Sequence, residues 1–166
     1  MTLDVRQTLT PRLTAGLSYD RKRQEFGSAE PLRDADVDDL QGTLRLQLSD
    51  RSALRLLGGH ARKDARGGEN SWKATGFGVA LELSPAERWD VFARARLRER
   101  EYHKAALADS NFGREDDIFD ALVNARYRIN ERWGVRGQLE YRDAESTRTD
   151  RNYDAFVVSL GVFAQF

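Results

Sequence analysis

Residues 89–100 read WDVFARARLRER, and residues 119–129 read FDALVNARYRI. From Trp89 to Leu97 and from Phe119 to Ile129 an apolar side chain occupies every second position, and mostly polar or charged side chains lie between. A period of two residues is typical of a β-strand whose two faces differ. The two stretches therefore predict a β-sheet with one apolar face and one face rich in arginine.

The same alternation recurs elsewhere in the chain. Five further stretches begin at Leu13, Leu40, Phe77, Trp133 and Phe156. A weaker stretch, Ala53–Ala61, is assigned as a strand by its position, because Leu56-Leu57 and Gly58-Gly59 interrupt its alternation. The repeated pattern predicts an all-β, antiparallel up-and-down meander closed into a barrel, in a single domain over residues 1–166.

The connections between these stretches are of two kinds that alternate along the chain. The short ones are residues 10–12, 49–52, 84–88 and 130–132, and the long polar ones are roughly 22–36, 62–70, 103–116 and 143–151. Alternate connections of a meander lie at opposite ends of the sheet. We therefore expect all short turns at one end and all long loops at the other.

A helical alternative exists for two of the stretches. Ser84-Pro85-Ala86-Glu87 has the form of a capping box with proline at the first helical position. Ile118, Leu122, Ala125 and Ile129 would also share one helical face. The period of two is common to strands that have no helical alternative, and this consistency favours strands.

Composition excludes several classes of protein. The 166 residues include 27 basic and 27 acidic ones and no cysteine. Zero net charge argues against a nucleic-acid binder, and the lack of cysteine excludes disulfides and thiolate sites. The two histidines, His60 and His103, have no nucleophile or metal ligand at a suitable spacing. We expect no enzymatic activity, no metal and no cofactor.

Three features favour a membrane barrel over a soluble one of lipocalin type that binds an apolar ligand. The strands are long, the loops are asymmetric, and aromatic residues collect at the strand ends, as in barrels of the bacterial outer membrane. The aromatic residues are Trp89, Trp133, Tyr127 and Phe166 near the short turns, and Tyr19, Phe119, Tyr141 and Phe156 near the long loops.

The tail Tyr153–Phe166 resembles the C-terminal targeting strand of Gram-negative outer-membrane proteins, with Phe156, Val158, Leu160, Val162 and Phe166 as the insertion signal. From Arg114 onward the chain resembles porin-like barrels of the "putative β-barrel porin 2" type and the barrel of surface lipoprotein assembly modifiers. The shared features are the acidic entry Arg114–Asp117, a strand pair, a loop with Ser146 and the Phe-ended strand. The resemblance implies the outer membrane as location, with its lipid, lipopolysaccharide and assembly machinery as partners.

The strand count leaves two alternatives open. Counting back from Phe166 gives eight strands to about Leu13, and Thr2–Leu9 is then a ninth strand or an N-terminal extension. Single-chain bacterial barrels have even counts. Met1 leads directly into Thr2–Val5 without an apolar segment, so the C-terminal part of a larger barrel is slightly favoured.

On the membrane hypothesis the polar face lines the lumen. The predicted lumen residues are Arg45, Arg55, Glu82, Arg94, Arg96, Arg98, Asp120, Arg126, Arg128, Arg136, Glu140 and Arg142. An eight-stranded barrel would be filled by these paired side chains, whereas a larger one could hold water and pass anions such as acidic saccharides. The function predicted is a porin-like barrel or one that exports solutes or exopolysaccharide.

The long loops are rich in acidic residues. They carry Asp34, Asp36, Asp38, Asp39, Glu115, Asp116 and Asp117. Such residues can bind divalent cations or reach lipopolysaccharide through them, but solvated loop charges are the simpler interpretation.

Overall fold

A computed structural model describes residues 1–26 and 31–164. These residues form nine β-strands: β1 (Thr2–Thr10), β2 (Leu13–Gln24), β3 (Ala35–Ser49), β4 (Ser52–Ala65), β5 (Trp72–Leu83), β6 (Trp89–Glu101), β7 (Glu115–Arg128), β8 (Trp133–Ser146) and β9 (Tyr153–Ala164). Three short 3-10 turns, Pro31–Arg33, Gly68–Asn70 and Thr149–Arg151, lie in the long loops.

The nine strands form one antiparallel sheet in chain order, β1 to β9. This is the predicted meander, and the uncertain N-terminal segment is a true strand. β1 pairs with β2 from Thr2 opposite Asp20 to Thr10 opposite Leu13. The helical alternative is wrong, because residues 84–88 form a turn and Glu115–Arg128 is a strand.

The short and long connections lie at opposite ends, as predicted. At the long-loop end, however, the strands run further than the alternation indicates. β2 extends to Gln24, β4 to Ala65 and β8 to Ser146. Beyond the apolar segment both faces of a strand meet water, so alternation no longer marks where pairing stops.

The sheet has two chemically distinct faces. One, which we call the apolar face, carries the alternating Leu, Val and Phe side chains, and these are exposed: Leu160 is 86% exposed, and Phe77 and Val162 are 65% exposed. The opposite face, which we call the cavity face, carries the arginines. Among the described residues, its buried apolar side chains are those of five alanines and Ile118, so no large apolar core forms on that side.

Aromatic side chains mark both ends of the apolar face. Near the short turns, the Trp89 and Tyr127 ring centroids lie 4.9 Å apart. Towards the long loops, those of Phe119 and Tyr141 lie 6.3 Å apart. Phe119 and Tyr127 share β7, and their separation is roughly 27 Å along a strand, or about 20 Å once the usual tilt is included. That spacing is close to the apolar band of an outer-membrane barrel, ~25 Å.

The sheet edges are β1 and β9. Within residues 1–26 and 31–164, each of these strands is paired on one side, and they are not paired with each other. Both run from the long-loop end towards the short-turn end, so a direct β1–β9 contact would be parallel. No helix in the described part of the chain is long and apolar enough to cross a membrane.

Candidate functional site: the arginine-bearing cavity face

The register places all twelve predicted lumen residues on one face of the sheet. Arg45 lies opposite Arg55, Arg96 opposite Asp120, and Arg126 opposite Arg136. The other members fall at even spacings from these along their strands, and side chains two apart share a face. The group therefore shares the cavity face, with nine arginines against three acids.

Asp120 is the centre of the larger ion-pair cluster, which we call the Asp120 cluster. Its Oδ2 lies 2.6 Å from Arg98 Nη2 and 3.2 Å from Arg96 Nη2, and its Oδ1 lies 2.6 Å from Arg142 Nε. The Asp120 side chain is only 8% exposed. One shielded carboxylate thus holds three guanidinium groups from β6 and β8.

Glu82 organises a second cluster. Arg45 donates from Nε to Glu82 Oε2 at 3.0 Å, its Nη2 lies 3.0 Å from the same oxygen, and Arg55 pairs with Oε1 of the same carboxylate. Arg45 also donates to Gln47 Oε1 at 2.6 Å. Arg45 lies two strands away from Glu82, so this contact spans the width of β4. In each cluster the arginines outnumber the carboxylate.

The remaining members of the group are not joined to these clusters. Within the described ranges, Arg94, Arg126 and Arg136 have no carboxylate within salt-bridge distance. Arg128 donates to Glu87 O at 2.6 Å and lies 3.8 Å from Asp90. Glu140 accepts from Gln138 instead of an arginine. The cavity face therefore keeps an uncompensated positive charge.

Strands β3 to β9 all contribute to a cavity of about 990 Å³ at the short-turn end. Its lining includes Arg45, Glu82, Arg126, Arg136 and Phe163. A second cavity of about 260 Å³ lies beside Arg55, Arg94, Arg96 and Arg98, nearer the middle of the strands. Since one cavity touches seven strands in succession, the sheet curves around it.

One cluster on this face escaped the prediction. Asp116 is 4% exposed and accepts from Arg114 Nε and Nη2 at 2.7 and 2.9 Å. Arg100 Nη1 lies 3.9 Å from Asp116, and its guanidinium stacks 4.7 Å from the Trp72 ring centroid. The sequence predicts Asp116 as a solvated loop charge, and the structure places it in strand β7. The alternation continuing from Asp120 through Ile118 would have placed it on the inner side.

The other predicted acidic residues make local contacts. Asp34 pairs with Arg66, and Asp38 lies near Arg21 and accepts from Tyr19. Among the residues described, no three His, Asp or Glu side chains are arranged to hold a metal ion.

The two histidines lie apart. His60 Nδ1 is 3.1 Å from Thr75 Oγ1, and His103 Nε2 is 3.9 Å from Asp64. In the described part of the chain neither has both a hydroxyl and a carboxylate partner, so no catalytic triad forms around them.

The residues predicted as an insertion signal lie on the apolar face of β9, apart from Phe166. Phe156, Val158, Leu160 and Val162 are all at least 56% exposed. Phe166, the last residue of the signal, lies outside the described residues.

The β6–β7 loop is tied to its neighbours at the long-loop end. Asn111 Nδ2 donates to Glu69 O at 2.9 Å, and Lys104 Nζ lies 2.7 Å from Asp64 Oδ1. The hydrogen bond from Lys104, joined by one from Arg62, holds the pKa of the Asp64 carboxyl below its ordinary value although partial burial opposes this. Asp64 lies beyond the apolar segment of β4, next to the loop.

This tether should loosen in acid. Because the pKa of Asp64 is lowered, its carboxylate stabilises the tether fully at pH values above the ordinary carboxyl pKa, 3.8. This stabilisation is lost as the pH falls through the lower pKa of the folded state. The chain has no cysteine, so a spin label on Ala105→Cys reports this loop alone. We expect its mobility to rise as the pH drops below about 4. With Asp64→Asn the label should be mobile at every pH, and an unchanged spectrum in that variant would contradict the tether.

Comparisons with known proteins agree with this fold. Residues 93–166 match the family described as "Putative beta-barrel porin 2", and this span contains the region from Arg114 onward that resembles that type. No curated protein matches the chain.

Two solved structures from Vibrio cholerae superpose on almost the whole chain. The outer-membrane protein OmpT with loop L8 deleted matches with a TM-score of 0.67 and 16% identity, over 99% of this chain and 53% of that one. In-vitro folded OmpT matches with a TM-score of 0.64 and 16% identity, over 99% and 55%. The chain thus spans about half the length of these structures.

The family match covers β7 to β9 and β6 from residue 93 onward, including the Asp120 cluster, and the superposition covers 99% of the chain. Both point to the same class of protein, and neither supports the soluble alternative. The chain therefore has the fold of an outer-membrane β-barrel wall, and its residues 93–166 are similar to the porin-like family.

Proposed function

We propose that this chain forms part of the wall of a water-filled outer-membrane pore and that its cavity face favours anions. The observation that carries the proposal is the excess of arginine on this face, together with Arg94, Arg126 and Arg136, which lack carboxylate partners among the described residues. Guanidinium groups stay charged at any physiological pH. Rings of charge of one sign set the selectivity of a pore.

The open edges of the sheet support a wide barrel. Backbone groups left unpaired within a bilayer cost several kcal/mol each, so both edges must be covered in a membrane. Because β1 and β9 run in the same direction, an odd number of further strands closes the sheet with antiparallel pairs throughout. The superposed OmpT structures, about twice as long as this chain, fit such a wall. A barrel wider than eight strands leaves room for water.

The same surface chemistry suggests what the pore passes and what surrounds it. Small acidic saccharides combine an anionic group with hydroxyls, and the cavity face offers guanidinium groups together with the amides of Gln47, Asn124 and Gln138.

We further propose that the apolar face contacts outer-membrane lipid and lipopolysaccharide, and that β9 is the strand recognised by the assembly machinery. The passage of acidic saccharides through the pore includes export of exopolysaccharide as one form.

Ion selectivity tests the proposal. The full chain, reconstituted in planar bilayers under a potassium chloride gradient, should give a reversal potential of the sign that marks chloride preference. Arg94→Gln combined with Arg126→Gln should move the anion-to-cation permeability ratio towards one. Arg62→Gln is the matched control, because it removes a charge from the apolar side of β4 beside Asp64.

Two results would overturn the proposal of an anion-selective pore. Absence of current from correctly folded protein would exclude the pore. Cation preference, or an equal effect of Arg62→Gln, would exclude the role of the cavity-face arginines.

A further inference from the structure

The cavity at the short-turn end contains two arginines that face each other across neighbouring strands. Arg126 on β7 lies directly opposite Arg136 on β8. Facing like charges destabilise a sheet unless something compensates them. Neither arginine has a carboxylate within salt-bridge distance among the described residues, and Arg126 Nε is shielded from solvent without a hydrogen-bond partner.

The nearest carboxylate in register is engaged elsewhere. Asp90 lies opposite Arg126 on the other side of β7. It accepts from Ser84 Oγ at 3.0 Å and lies 3.8 Å from Arg128 Nη2. Glu82, which also lines this cavity, is held by Arg45 and Arg55. Asp50, the third acid of the lining, is not within salt-bridge distance of either arginine. The acids around the cavity therefore leave the Arg126–Arg136 pair uncompensated.

Two glycines set the directions of the two arginine side chains. Gly134 on β8 lies opposite Phe163 on β9, and a Cβ at Gly134 would overlap the Phe163 ring, so this ring lies across the glycine. The Arg126 guanidinium stacks on that ring, 3.9 Å from its centroid. This contact draws Arg126 towards β9 and away from Asp90.

Arg136 is placed in the same way. It lies opposite Gly161 on β9, where an added Cβ would come within 3.2 Å of Arg136 Nε. Both guanidinium groups thus lie against β9, at the wall of the 990 Å³ cavity. A cavity of this size accommodates a small organic molecule.

The other residues that line the cavity indicate what kind of ligand the two arginines could bind. Guanidinium groups bind carboxylates through paired hydrogen bonds. Asn124, Gln138 and Ser159 line the same cavity, and their amide and hydroxyl groups can both donate to and accept from sugar hydroxyls.

We propose that Arg126 and Arg136 form a binding site for the carboxylate of a small hydroxylated solute, such as an acidic monosaccharide, at the short-turn mouth of the pore. The site rests on the proposed function, since solute reaches the cavity through the water on this face. It adds a saturable site to a pore that would otherwise select by charge alone.

Isothermal titration calorimetry on the full chain in detergent micelles tests the site with sodium glucuronate, with glucose as the neutral match. We expect saturable binding of glucuronate and none of glucose. Arg126→Gln and Arg136→Gln should each weaken binding by about tenfold or more. Arg12→Gln, in the turn between β1 and β2 at the same end, should leave it unchanged. A heat-modifiable gel shift confirms that each variant is folded.

The outcomes separate this site from the pore itself. Lack of glucuronate binding by folded wild-type protein, or binding by both variants as tight as that of the wild type, would overturn the site even if the protein conducts anions. Acetate binding as tight as glucuronate binding would overturn the part assigned to the sugar hydroxyls. Glucuronate binding without any current would instead retain the site and exclude the pore.

Discussion

Asp120→Ala is expected to lower the free energy of unfolding by about 2–4 kcal/mol, because it leaves three arginines around an empty position. The Asp120 carboxylate is 8% exposed and lies 2.6 Å from both Arg98 and Arg142. Removing one partner of a shielded ion pair costs ~3–5 kcal/mol. The lower range applies here because Arg142 is 48% exposed and can turn towards water.

Asp117→Ala is the matched control, because Asp117 has the same side chain on the same strand but the opposite face. Asp117 is exposed and lies between Glu99 on β6 and Glu145 on β8. Removing a carboxylate from between two others relieves repulsion, so this variant should be as stable as the wild type or slightly more stable. Urea unfolding in detergent measures both, and equal values for the two variants would contradict the role of Asp120.

The strands and their faces could be predicted from sequence because both follow from local periodicity. A strand with one face in lipid and one towards water must alternate, and residues 119–129 do so at every position except Leu122. β4 is the instructive exception. Its Leu56-Leu57 pair interrupts the alternation, but the two side chains lie on opposite faces, with Leu57 opposite Thr43 and Leu56 opposite Leu44.

The ion pairs of the cavity face could not be predicted, because they depend on register between strands that are distant in sequence. Glu82 meets Arg45 from 37 residues away and across an intervening strand. Stacking of Arg126 on Phe163 needs the space above Gly134 on the strand between them. Which arginines remain unpaired therefore emerges only once all nine strands are aligned.

The sheet edges mark another limit. Alternation places β1 and β9 as strands but carries no information on what lies beside them, because hydrogen bonds at an edge involve the backbone alone. The odd strand count in the sequence already indicates that the two edges do not simply pair with each other. The structure gives the reason: β1 and β9 run in the same direction, so antiparallel closure requires further strands between them.

Leu56→Arg is expected to cost about 2–4 kcal/mol of folding free energy in a bilayer, because it puts a charge near the middle of the apolar face, which we propose to contact lipid. Leu56 is 48% exposed and lies between Leu44 on β3 and Val79 on β5, all on the apolar face. Its side chain has no polar neighbour in register that could receive a guanidinium. Folding into phospholipid vesicles against urea measures the cost.

Leu57→Arg supplies the matched control from the next residue of the same strand. Leu57 lies between Thr43 and Gly78 on the cavity face, where an added guanidinium can reach water, so we expect a loss below about 1 kcal/mol. The two variants have the same composition and differ only in the face they alter. If the apolar face lay in water, Leu56→Arg would change stability by no more than about 0.5 kcal/mol, and the assignment of that face to lipid would be wrong.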